Sequence, residues 1–171
     1  DLGEFLVAHY PLDRLGAGVE ATDAFGFHHL IGTNLDQSAV VTGQDGNAVS
    51  FDAEKKTMLA RTSGAVGDRL PVSSHPEHSI VMWVNVKGTG QSDLRIFSEG
   101  ALSENTSLYN IGAQNGGADD RLDFYLRASN GSTPNHQYST ATPLDGTWHH
   151  IAWVVSGDQA KLYVDGVIDA T

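Results

Sequence analysis

No cysteine occurs among the 171 residues, which excludes a disulfide framework and any thiolate metal site and leaves the redox compartment unreadable. Basic residues are scarce: 10 Lys and Arg stand against 21 Asp and Glu, a formal charge of −11. A surface of that sign repels phosphate, so neither nucleic acid nor an anionic membrane is an expected partner, whereas cations and neutral glycans suit it. No apolar run approaches the length of a bilayer span, so membrane insertion is not expected. The first residues show no charged-then-apolar leader, and a signal peptide is expected to be absent or already removed. Apolar residues at helical spacing are few, which argues against a helix bundle.

What is present is β-structure and turns. The clearest unit is Thr147 to Ile168, TWHHIAWVVSGDQAKLYVDGVI. Trp148–Val155 is an aromatic and β-branched run, Gly157-Asp158 supplies a turn, and Ala160–Val164 alternates before Asp165-Gly166 turns the chain again, which predicts a β-hairpin. Ile151, Trp153 and Val155 share one face and Ala152 and Val154 the other, so the first strand is expected at the centre of a sheet covered on both sides. Ser79–Val86 predicts another strong strand, with Trp83 read as core. Arg121–Ala128 alternates, placing Leu122, Phe124 and Leu126 inward and Arg121, Asp123, Tyr125 and Arg127 on a solvated face. Further strands are expected at Glu4–Pro11, Asn47–Phe51, Thr57–Arg61, Leu94–Ser98, Ser107–Ala113 and Gln137–Thr140. Leu12 to Gly46 is rich in glycine, aspartate and asparagine and reads as a long ordered loop with short strands at most, a segment that calls for a bound ion or a binding role. Nineteen glycines and strands at roughly 8–15 residue spacing fit one all-β domain over 1–171, a two-sheet antiparallel sandwich.

Catalytic signatures are missing. There is no Gly-x-Ser-x-Gly elbow and no Gly-x-x-x-x-Gly-Lys-Ser/Thr phosphate loop. His75 and His78 flank Pro76 outside any helix, against the facing pair that zinc needs, while His149-His150 and His28-His29 are adjacent and point apart on a strand. One histidine of the 149–150 pair is expected to pack and bond a loop. Ligand binding is expected from loop-borne aromatics and amides, because sugars stack on rings and bond planar polar groups: Phe25 and Phe27 in one loop, Asn135, His136 and Tyr138 in another. At least one of the two phenylalanines is expected to plug the core.

The order LVAHYPLD, ATDAFGFHHLIG, GNAVSFD, SIVMWVNV, LRIFSEG, RLDFYL and DGTWHHIAWVVSGDQAKLYVDG resembles the laminin-G-like domains of the concanavalin A-like lectin/glucanase superfamily, its most specific piece being DGTWHHIAWVV followed by LYVDG. The resemblance implies a jelly roll in an extracellular or surface protein that binds glycans, proteins or calcium. It also implies a structural calcium at Asp23 with the carbonyls of the turn through Gly26 and His28, against which stands Asp23 as a turn residue bonding its own backbone. Glucanases of this fold carry a Glu-x-Asp-x-x-Glu strand motif, which is missing here, so the expectation is a non-enzymatic recognition or adhesion module for a glycan or surface protein. Family members usually continue past LYVDG with one or two more strands. The sandwich is therefore expected to lack its last strand, with an open edge through which copies of the chain would associate, as in an appendage, filament or virus particle. An accessory domain of a carbohydrate-active enzyme is the third reading.

Overall fold

The computed structural model describes residues 5–61, 70, 72, 75, 77–87, 94–100, 108–113, 119–127 and 136–170. They are all-β, with a 3-10 turn at Gln37–Ala39 and, among the described residues, no helix long and apolar enough to cross a membrane. The chain divides into two compact units, Asp1–Leu70 and Pro71–Thr171.

In the N-terminal unit the strands are short, as the turn-rich composition requires: β1 (Glu20–Ala21), β2 (Leu30–Thr33), β3 (Val40–Thr42), β4 (Asn47–Val49) and β5 (Met58–Ala60). They form a three-stranded sheet in the order β1-β2-β5 and a two-stranded β3-β4 ribbon, all antiparallel. The core is small: Leu15, Ala21 and Val49, with Val19, Leu30, Leu35 and Val40 among the residues packed around it. The expected opening strand does not form. Phe5, Leu6 and Val7 are exposed, and the backbone of His9 is held instead by the Asp23 carboxylate and by Ala24, whose N–H donates to the His9 carbonyl at 2.8 Å. The apolar run is a local signal, but the His9 amide bonds a side chain rather than a ladder.

The C-terminal unit carries β6 (Glu77–Lys87), β7 (Arg95–Gly100), β8 (Leu108–Ala113), β9 (Leu122–Arg127), β10 (Gln137–Tyr138), β11 (Asp145–Ser156), β12 (Gln159–Val164) and β13 (Val167–Ala170). Two four-stranded antiparallel sheets result, ordered β10-β9-β8-β7 and β13-β12-β11-β6. The predicted hairpin is present, with Trp153 opposite Leu162 and Ser156 opposite Gln159 around Gly157-Asp158. Gly157 has φ +62° while Asp158 does not enter that region, the requirement of a II′ turn, and Asp165 (φ 50°) with Gly166 (φ 80°) meets that of a I′ turn into β13. β11 is central, flanked by β12 and β6.

Period-2 alternation sends Val84, Ile151, Trp153, Leu162 and Val164 from one sheet and Tyr109, Ile111, Leu122 and Phe124 from the other into one buried cluster. Trp153 sits at its centre, its ring 4.0 Å from Phe124 and 5.6 Å from Tyr109 between centroids. Burial drives the Tyr109 phenol far above its ordinary value. A Cβ at Gly112 would lie 1.9 Å from the Leu94 carbonyl oxygen, so only glycine allows the close approach that lets Ala113 N–H bond that oxygen beside the β7 bulge. Trp83 corrects the sequence reading. It lies on the opposite face of β6 from Val84 and is 47% exposed, leaning edge-on against His150 at 5.2 Å. A strand apolar on both faces does not disclose which face meets the other sheet.

Candidate functional site

Two places gather the residues singled out above. The first is the loop Asp23–His28 of the N-terminal unit. Asp23 is 1% exposed, and its carboxylate accepts four backbone N–H bonds: from His9 (2.9 Å) and Phe25 (3.1 Å) at Oδ1, and from Phe27 (3.3 Å) and His28 (3.1 Å) at Oδ2. Burial alone would raise its pKa, but the four amides outweigh that and hold the carboxyl below its ordinary value. Gly26, at φ +83°, closes a turn by donating its N–H to the Asp23 carbonyl. The Tyr10 hydroxyl donates to the His28 carbonyl at 2.6 Å, and Arg61 donates to the Phe27 carbonyl. Burial first, and the Asp23 charge second, push the Tyr10 phenol up to about 12.

This geometry bears on calcium. A calcium carboxylate must offer lone pairs to the ion, whereas the Asp23 oxygens are surrounded by the positive ends of four N–H dipoles, the His28 carbonyl is taken by Tyr10, and a guanidinium stands at the Phe27 carbonyl. The residues present do not fit a calcium site through Asp23, Gly26 and His28; they form the self-bonded turn that was the other reading of Asp23. Among the described residues no group of three or more His, Asp or Glu side chains converges as a metal site would. Asp23 N–H also donates to His29 Nδ1 at 3.0 Å, so that nitrogen carries a lone pair and its 3.8 Å approach to Glu20 is not an ion pair. With their N–H groups turned in toward the carboxylate, Phe25 and Phe27 project outward, 37% and 75% exposed. Neither is the core plug that was expected of one of them.

The second place is the face of the β10-β9-β8-β7 sheet turned away from the core. Tyr138 lies opposite Asp123 in the β10–β9 register, and one step further places His136 opposite Tyr125. His136 Nδ1 is 2.9 and 2.8 Å from the two oxygens of Asp123, which is 4% exposed. Asp123 was expected on a solvated face and is instead buried under a histidine. Because Nδ1–H is committed to the carboxylate, Nε2 is the nitrogen left for another partner, and the side chain is 43% exposed. The ring of Tyr125 is 4.7 Å from that of His136, and Tyr138 is nearly parallel to it at 12° and 5.9 Å. Arg121 lies over the Tyr138 ring at 5.7 Å, and its Nε (2.7 Å) and one terminal nitrogen (2.6 Å) both reach Oδ2 of Asp119.

The structure thus joins His136 and Tyr138 and adds Arg121, Asp123 and Tyr125, which the sequence placed on a solvated strand face, together with Asp119. A tyrosine, a carboxylate and an arginine on one strand face beside a His-x-Tyr strand was the available signal. Asn135 lies outside the described residues. His75 and His78 form no pair for a metal, since His78 Nδ1 bonds the His75 carbonyl at 3.0 Å. As expected of one member of the 149–150 pair, His149 bonds a turn, through Asp165.

Two antiparallel sheets facing across one apolar core define a concanavalin A-like β-sandwich. The chain belongs to the concanavalin A-like lectin/glucanases superfamily, whose laminin G family model matches residues 61–171. Among solved structures it is similar to an S-layer domain-containing protein from Clostridium thermocellum, at 25% identity and a TM-score of 0.58, over 95% of this chain and 70% of that one. No curated protein matches it.

Proposed function

We propose that the protein is a non-catalytic surface module that recognises glycans on the outer face of the β10-β9-β8-β7 sheet. The observation that carries this reading is the His136 cluster. Tyr125, His136 and Tyr138 offer ring faces and edges to the apolar side of a sugar, while His136 Nε2 and the Arg121–Asp119 pair offer bonds to its hydroxyls. Anchoring His136 on a buried carboxylate fixes its orientation before ligand arrives, which lowers the ordering cost of binding. Phe25 and Phe27, exposed on the N-terminal unit, are a separate apolar contact surface in this reading.

A specific observation favours a second reading, a building block of a surface array: the likeness to an S-layer domain-containing protein spans nearly the whole chain. Extracellular or surface location is part of both readings. The test is a glycan array followed by calorimetry on the intact protein. His136→Ala and Tyr138→Ala should each weaken the best ligand at least about tenfold, the factor carried by 1.4 kcal/mol, with no release of reducing sugar by the unmodified protein. Binding untouched by both substitutions removes this face as the glycan site, absence of any glycan ligand removes the glycan reading, and concentration-dependent assembly in sedimentation without glycan binding selects the building block.

A further inference from the structure

At the start of β11, four side chains are wired together outside either place described above. His149 Nδ1 is 2.8 Å from Asp165 Oδ2, and its Nε2 is 3.0 Å from Thr147 Oγ1 and 3.3 Å from Asp145 Oδ1. Thr147 in turn bonds Asp145 Oδ1 through its N–H (2.8 Å) and hydroxyl (2.7 Å), spanning the bulge between Asp145 and Trp148. Asp165 is the first residue of the I′ turn between β12 and β13; its N–H donates to the His150 carbonyl and its Oδ1 accepts from the His150 N–H at 2.9 Å.

A neutral imidazole has one N–H, yet here both ring nitrogens face an acceptor chain that ends in a carboxylate. Only imidazolium donates in both directions, to Asp165 directly and to Asp145 both directly and through the Thr147 oxygen. When the proton leaves Nε2, that nitrogen becomes an acceptor, the Thr147 hydroxyl turns toward it, and Asp145 loses two donors. The Asp165 bond survives but loses its charge assistance.

We propose that Asp145, Thr147, His149 and Asp165 form a proton-operated latch that ties the β11 bulge and the β12–β13 turn together when His149 is charged and loosens them when it is neutral. The groups acting on it are few. Asp165 and Asp145 act on His149, His150 also acts on Asp165, and Lys87 stands opposite Asp145 in the β6 register. The bond to Asp165 foremost holds His149 above its ordinary 6.5, against partial burial, and bonding to His149 and to Thr147 holds Asp165 and Asp145, respectively, below 3.8. The His149 contribution is complete below pH 6.5 and is lost as pH rises through its raised folded value. The carboxylate contribution is complete above 3.8 and is lost as pH falls through their lowered values.

The experiment is residue-resolved NMR on the whole chain, following the His149 ring and amide protection factors at Thr147, His150 and Asp165 from pH 5 to 9. The expected His149 midpoint lies above 6.5, moves down more in Asp165→Asn than in Asp145→Asn, and coincides with a loss of protection of about two- to tenfold, the factor of one ordinary hydrogen bond. His149→Gln, checked for folding by its amide spectrum, should make that protection independent of pH. A His149 midpoint at or below 6.5, or the same pH dependence in His149→Gln, overturns the latch.

Discussion

The two units of this protein solve the same problem with opposite materials. In the C-terminal unit, two sheets bury Ile111, Leu122, Phe124, Ile151, Trp153 and Leu162 against one another, each at most 3% exposed. In the N-terminal unit the apolar core is three small or medium residues, and the most connected buried side chain is the carboxylate of Asp23, which draws together His9, Phe25, Phe27 and His28. Long strands bring many apolar side chains to one face, whereas strands of two to four residues cannot, and a buried acceptor with four lone-pair sites then organises the loops. The lesson is that a buried aspartate in a glycine-rich loop is not by itself a cation site; the direction of the surrounding N–H groups decides what it holds.

The contrast is broken most severely at the apolar centre. Trp153→Ala should cost about 3–5 kcal/mol through the cavity left between Phe124 and Tyr109, read as a fall in denaturant midpoint. Asp23→Ala comes next, at about 3 kcal/mol, because buried amides lose their acceptor. That loss should be equal in calcium and in chelator, and a loss confined to calcium would reinstate the metal. Acid sharpens the same point without mutation. The folded Asp23 value is depressed, so its contribution is intact above pH 3.8 and vanishes as pH falls through the folded value; amide exchange at His9 and His28 should accelerate there, and acceleration absent from both would contradict the clamp. The smallest effect belongs to Trp83→Ser, expected within about 0.5 kcal/mol because the ring is half exposed, and a loss of several kcal/mol would return Trp83 to the core.

Much of the sandwich could be read from one chain of letters. Alternation located β6, β9, β11 and β12, and Gly157-Asp158 and Asp165-Gly166 marked two turns at their observed places. The candidate sites were less legible. His136 and Tyr138 were visible as loop aromatics, but Asp123 looked solvated because alternation tells which face a residue takes and not what later covers it. Glu4–Pro11 looked like a strand because its apolar pattern is local, while the Asp23 carboxylate that captures His9 lies 14 residues away.

The sequence by itself determined the all-β class, the hairpin from β11 to β12 with its register, and an acidic, cysteine-free composition. These follow from period-2 patterning, turn stereochemistry and net charge, all of which are properties of neighbouring residues or of composition. Tertiary structure alone decided that Trp83 faces outward, that Asp23 is satisfied by amides, and that Asp123 lies beneath His136. Each depends on which atoms from distant parts of the chain arrive at a polar or apolar surface, and burial and hydrogen bonding are settled only when they do.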